Sequence, residues 1–99
     1  MTKREFNSKM VVEGYKLRSS AVKAVSDNVQ VFIEWHTGNR IYIALQRRVR
    51  VEVPNAANTM MRCDTWATVA AGWYDGKDLD IALGYMESWA AYVKELISV

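Results

Sequence analysis

From Val29 to Pro54 apolar residues recur at every second position on both sides of one short polar break, and this pattern commits the middle of the chain to a β-hairpin. In "VQVFIEW", Val29, Val31, Ile33 and Trp35 alternate with Gln30, Phe32 and Glu34. In "RIYIALQRRVRVEVP", Ile41, Ile43, Leu45, Val49, Val51 and Val53 keep the same alternation. The intervening "HTGNR" is the turn. Cross-strand partners must share a face, so the numbers of paired residues sum to an even value. A sum of 76 joins His36 to Arg40 around Thr37, Gly38 and Asn39, and asks Asn39 to take the left-handed conformation, which Asn tolerates better than most residues. The same register sets Ile33 against Ile43, Val31 against Leu45 and Val29 against Arg47. Arg47 is the one charge on the apolar side. It falls where the first strand begins, a natural place for a bulge or a bend.

Beyond Arg47, "RVRVEV" has strong strand character and no partner within the hairpin. An unpaired β-branched edge needs cover. Two segments could supply it: "KMVVEGYKL" of the same chain, or the same strand of a second copy pairing with itself across a two-fold axis. On the second reading Val49, Val51 and Val53 form a dimer edge.

The flanks read as helical. "TKRE" is a capping box, with Thr2 as cap and Glu5 reaching back to it. Phe6, Met10, Leu17, Ala21, Ala24 and Val25 then share one arc of a helix running from Thr2 to about Ser26. Gly14 lies inside that helix at a cost of about 1 kcal/mol. After the hairpin, "NAANTMMRCDTWATVAAGW" places Cys63, Trp66, Ala67, Ala70 and Trp73 at helical spacing, with Asn55 or Asn58 as cap. "YDGKD" interrupts it. From Asp78 to about Ile97, Ala82, Tyr85, Met86, Trp89, Val93 and Leu96 form the apolar face of a last helix. The expected fold is one α+β domain over residues 1–99, a small antiparallel sheet of two or three strands packed on helices in the order α-β-β(-β)-α-α. All four Trp are expected in its core.

Composition narrows the class. With 51% apolar residues and four Trp in 99 residues, there is material for a core, and disorder is disfavoured. A single cysteine, Cys63, excludes an internal disulfide and fits a reducing cytoplasm. Neither a signal peptide nor a membrane span is read. The net charge of +2 hides an asymmetry: residues 1–50 carry ten Lys/Arg against four Asp/Glu, residues 51–99 three against seven. One basic and one acidic surface are expected if the halves occupy different faces.

Equipment for catalysis is sparse. His36 is the only histidine and lies at a turn. Cys63 and Asp64 could join it as a nucleophilic set, but a cysteine on an apolar face behaves as a small hydrophobe. "DGKDLD" lacks a glutamate at the twelfth position and so fails as a calcium loop; its acids suit a helix N-terminus. No zinc, phosphate-loop or dinucleotide spacing occurs. No enzyme, metal or cofactor is expected.

The sheet face opposite the core is more informative. It should present Phe32, His36, Arg40, Tyr42, Gln46, Arg48 and Arg50, with Arg47 close by. Aromatics interleaved with arginines hold single-stranded nucleic acid by stacking and phosphate contact. The same residues dominate protein-binding hot spots. A plain solvated face, with Phe32 under the N-terminal helix, needs no partner. The Gly-flanked aromatics of RNA-binding sheets are absent, which favours protein. In size and in its lack of catalytic groups the chain is similar in type to small accessory proteins of phages and mobile elements, which bind and block a larger host component. The expectation is a non-enzymatic protein-binding module, possible as a homodimer, whose contacts include Phe32, His36, Arg40, Tyr42, Arg47, Arg48 and Arg50, with nucleic-acid binding as the alternative.

Overall fold

A computed structural model describes residues 1–97 of the chain. Helix α1 (Lys3–Val12) is followed by five strands, β1 (Lys16–Leu17), β2 (Ala21–Ser26), β3 (Val29–His36), β4 (Arg40–Pro54) and β5 (Met60–Asp75), then a single 3-10 turn and helix α2 (Leu79–Ile97). The strands form one antiparallel meander in the order β1-β2-β3-β4-β5. The α+β class holds, but a sheet of two or three strands does not: there are five, and the order is α-β-β-β-β-β-α.

Two segments account for the difference. Thr2 caps α1 in a full capping box with Glu5, as the motif implies. The helix stops at Val12, however, because Gly14 takes φ +90°, in the left-handed region. The chain then turns into β1 and β2, where the β-branched Val22 and Val25 suit a pleated surface. The second segment is 60–75, expected as a helix and found as a strand. The helical spacing of its aromatics is outweighed by the open edge of β4, which pairs with it from Arg40↔Asp75 to Pro54↔Met60. Asn55 and Asn58 serve the connecting loop instead of a helix cap: the Asn55 carboxamide accepts from the Ala57 and Thr59 amides, and Asn58 takes φ +60°. Val49, Val51 and Val53 are therefore not at an edge. They face Thr65, Cys63 and Met61.

The central hairpin follows the even-sum register throughout, from Val29↔Arg47 to His36↔Arg40, and Asn39 has φ +57°. A register shift follows Leu45, where β5 carries Val69 as an extra residue. This is the bend beside Arg47. Arg47 is exposed on the helix side of the sheet, opposite Val29 at the start of β3, and the core ends at that rung.

Both helices cover one face of the sheet. Val29, Val31, Ile33, Ile41, Ile43 and Leu45 meet Phe6, Met10 and Tyr15 from the N-terminal part and Leu79, Ala82, Leu83, Met86 and Ala90 from α2, all buried. Each large side chain here contributes about 1.5–3 kcal/mol. At the seam between α2 and β2, Glu87 accepts from the Tyr15 hydroxyl and from Lys23 Nζ, each at 3.1 Å. Burial, and next the Glu87 charge, push the Tyr15 phenol well above its ordinary pKa. Beyond Arg47, β4 and β5 run on as a two-stranded arm. Fifteen residues at about 3.4 Å each span roughly 50 Å, which sets the 48 Å long axis of the molecule.

Candidate functional site: the open sheet face

No described element lies over the sheet face turned away from the helices. Register assigns it Val22 and Ala24 of β2, Gln30, Phe32, Glu34 and His36 of β3, Arg40, Tyr42, Ala44, Gln46, Arg48 and Arg50 of β4, and Asp64, Trp66, Thr68, Ala71 and Trp73 of β5. Phe32 is not under α1, which packs on the opposite side.

The structure gathers Phe32, His36, Arg40 and Tyr42 of the expected contact residues around Trp73, and sets Arg48 beside Trp66 farther along the same face. Tyr42 and Trp73, directly opposite in register, stack with centroids 5.2 Å apart and planes 18° from parallel. Phe32 meets Tyr42 edge-on at 6.5 Å, and His36 meets Trp73 at 4.8 Å. The Arg40 guanidinium lies 4.7 Å from the Trp73 centroid, and that of Arg48 lies 5.2 Å from Trp66. Cation–ring contacts of this kind are worth about 0.5–1 kcal/mol when exposed. They hold two otherwise floppy side chains upright on the sheet.

Charge divides the face in two. Arg50 Nε pairs with Asp64 at 3.2 Å and Arg62 Nε with Glu52 at 3.3 Å, so these four charges of the arm cancel in pairs. His36 Nε2 lies 3.7 Å from Glu34. Arg40 and Arg48 form no ion pair among the described residues; their positive charge is left to solvent. Arg47 does not belong to the cluster, since it projects from the other side of the sheet. A concavity of about 540 Å³ is lined by Lys16, Arg18, Val22, Lys23, Ala24, Gln30 and Trp66, among other residues, and is basic in character.

Trp66 and Trp73, expected from their helical spacing in the core, lie on this face, Trp73 being 52% exposed. Trp89 is also largely exposed on α2, and of the four only Trp35 packs against the core. The orphan strand character of "RVRVEV" signals a second strand, but alternation alone would put Trp66 and Trp73, seven residues apart, on opposite faces; the extra residue Val69 brings both to the open face, opposite Arg48 and Tyr42. Cys63 sits on the helix side of the arm opposite Val51, away from His36. No three His, Cys, Asp or Glu side chains among the described residues converge as a metal site. No described helix is long and apolar enough to cross a membrane.

Comparison with protein-family models, with curated proteins and with solved structures finds no match.

Proposed function

We propose that the chain is a non-enzymatic binding module that docks a larger protein through its open sheet face. The observation that supports this most is the state of Trp73, which touches Tyr42, His36 and Arg40 at once while half its surface stays open to solvent. Stacking a nucleic-acid base needs an unoccupied ring face. Here the rings and cations already occupy one another, forming a contiguous patch of Trp, Tyr and Arg, the residue types that carry protein-interface energy. The unpaired Arg40 and Arg48 select a partner surface that is acidic around an apolar centre. A module of this kind acts by occupying and blocking its partner, and the single reduced thiol suits a cytoplasmic setting.

A second reading, single-stranded nucleic acid, draws support from the basic concavity between Arg18 and Trp66. One experiment separates the two. Wild type, Trp73→Ala and Arg40→Glu are each used as bait against a lysate, and titrated with oligonucleotides across a salt series. The docking reading expects a protein that wild type retains and both variants lose, with no oligonucleotide binding. Micromolar oligonucleotide binding that weakens steeply with salt transfers the face to nucleic acid. Identical captures by all three baits remove the face from contention.

A further inference from the structure

Strand β5 is paired on one side only. Its outer edge runs over Met60–Asp75, closed by no other described strand. Natural edges of this length are blunted by Lys, Pro or inward charges. This one has no Lys or Pro, and its only charges are Arg62, Asp64 and Asp75. The extra residue at Val69 is its single irregularity.

Helix α2 has an unpartnered stripe on the same side of the molecule. Its inner face is the buried set from Leu79 to Ala90. One flank carries Asp80, 2.7 Å from Lys9 of α1, and Glu87, bonded to Lys23 of β2. At about 100° per residue, Tyr85, Trp89 and Leu96 fall on the opposite flank, towards β5, with Ile81 and Tyr92 next to them on the outward side. All five are exposed, at 71, 54, 44, 58 and 61%. Tyr85, Trp89 and Tyr92 form an edge-to-face ladder at 6.3 and 5.9 Å, with a shallow apolar recess beside Ser88. A third surface is the helix side of the arm, where Val49, Val51, Val53, Met61 and Cys63 continue the apolar face of β4 past the end of the helix layer.

We infer that a second copy of this chain covers all three surfaces at once. Antiparallel pairing of β5 with its own copy, about a two-fold axis perpendicular to the sheet, joins the two five-stranded sheets into one. That axis keeps both helix layers on the same side and reverses the strand. The α2 stripe of each protomer, overhanging the 70–74 end of β5, then comes to lie over the arm of its partner. With aromatic side chains of about 200 Å² each, half exposed, the stripe offers on the order of 500 Å², and the arm adds on the order of 300 Å². The sum is near the ~800 Å² per partner of a stable interface. The pairing leaves the open sheet face free, so it stands apart from the docking reading.

The test is the mass of the full chain in solution by light scattering and sedimentation, with amide exchange read at low and high concentration. Wild type is expected at twice the chain mass of 11.3 kDa, with the outward amides of β5 slowed as concentration rises. Trp89→Glu and Tyr92→Glu alter exposed positions only, and each is expected to weaken the dimer at least tenfold while far-UV circular dichroism is unchanged. A monomer at about 100 µM, a hundred times a micromolar dissociation constant, overturns the inference. So does a dimer that both variants leave intact, or one whose β5 amides exchange equally fast at both concentrations.

Discussion

Val51→Cys places a second thiol directly across the arm from Cys63. Facing residues of an antiparallel pair have Cα atoms about 4.5–5.5 Å apart, inside the window of about 4.4–6.8 Å that a disulfide spans. Val51 and Cys63 are such a pair, and both side chains stand on the helix side of the arm. The bridge closes a loop of about a dozen residues, for which loss of chain entropy in the unfolded state predicts roughly 3 kcal/mol of stabilisation. Even half of that raises Tm by roughly 6–12 °C in a domain of this size. Oxidised Val51→Cys is therefore expected to show no free thiol, the monomer mass less two hydrogens under denaturing conditions, and a higher Tm that reverts on reduction. Were residues 55–73 a helix, Cys63 would sit on a different element from Val51, and oxidation would leave two reactive thiols. That outcome would refute the hairpin and, with it, the placement of Trp66 and Trp73 on the open face.

Met86→Ala removes a fully buried side chain between α2 and the sheet, and is expected to cost about 2–5 kcal/mol, seen as a lower urea midpoint. Asn39→Ala forces a Cβ-bearing residue without a polar side chain to φ +57° and should cost about 1–2 kcal/mol, whereas Asn39→Gly should be nearly neutral; equal losses would mean that the turn is not the cause. Gly76→Ala would drive a methyl group into the Asn39 side chain and should lower Tm without changing the circular dichroism of α2. The Tyr15 phenol is held protonated in the fold, so its contribution is intact below the unfolded value of about 10 and is lost as pH rises above it, when the unfolded chain releases the proton. Tyr15→Phe should be less stable at neutral pH, by about 1 kcal/mol for the lost hydrogen bond, yet decline more gently above pH 10 in alkaline unfolding; identical slopes would show that Tyr15 ionises freely in the folded state.

The hairpin was legible in the sequence because period-2 alternation, a Gly-Asn turn and one buried face together leave a single register. The N-terminal cap was legible because it needs only four residues. What could not be read was segment 60–75. Its Trp66 and Trp73, seven residues apart, share a face in a helix and would part in a regular strand; pairing with β4, six to thirty-five residues away, and the extra residue Val69 decide otherwise. The same ambiguity placed Trp66 and Trp73 in the core. Phe32, His36, Arg40, Tyr42 and Arg48 share a face because alternation alone puts them there. Whether that face was covered depended on where α1 ended, and Gly14 decided it through its positive φ. Arg47 lies where the register puts it, beside the start of β3, but residue parity, more than proximity, separates it from Arg48.

The meander joins each strand only to its neighbour in sequence, so the sheet can assemble by successive short-range additions and has little of the loop-closure cost that slows other all-antiparallel topologies. Its apolar face is covered only in part, by α1 and Tyr15, until α2, which is synthesised after all five strands, docks from Leu79 onward. Between those two events the chain is a nearly complete sheet with an oily side and an open β5 border. That interval, more than the finished molecule, is when it needs a chaperone or a dilute setting, and substitutions that delay the docking of α2 will show first as lost soluble yield.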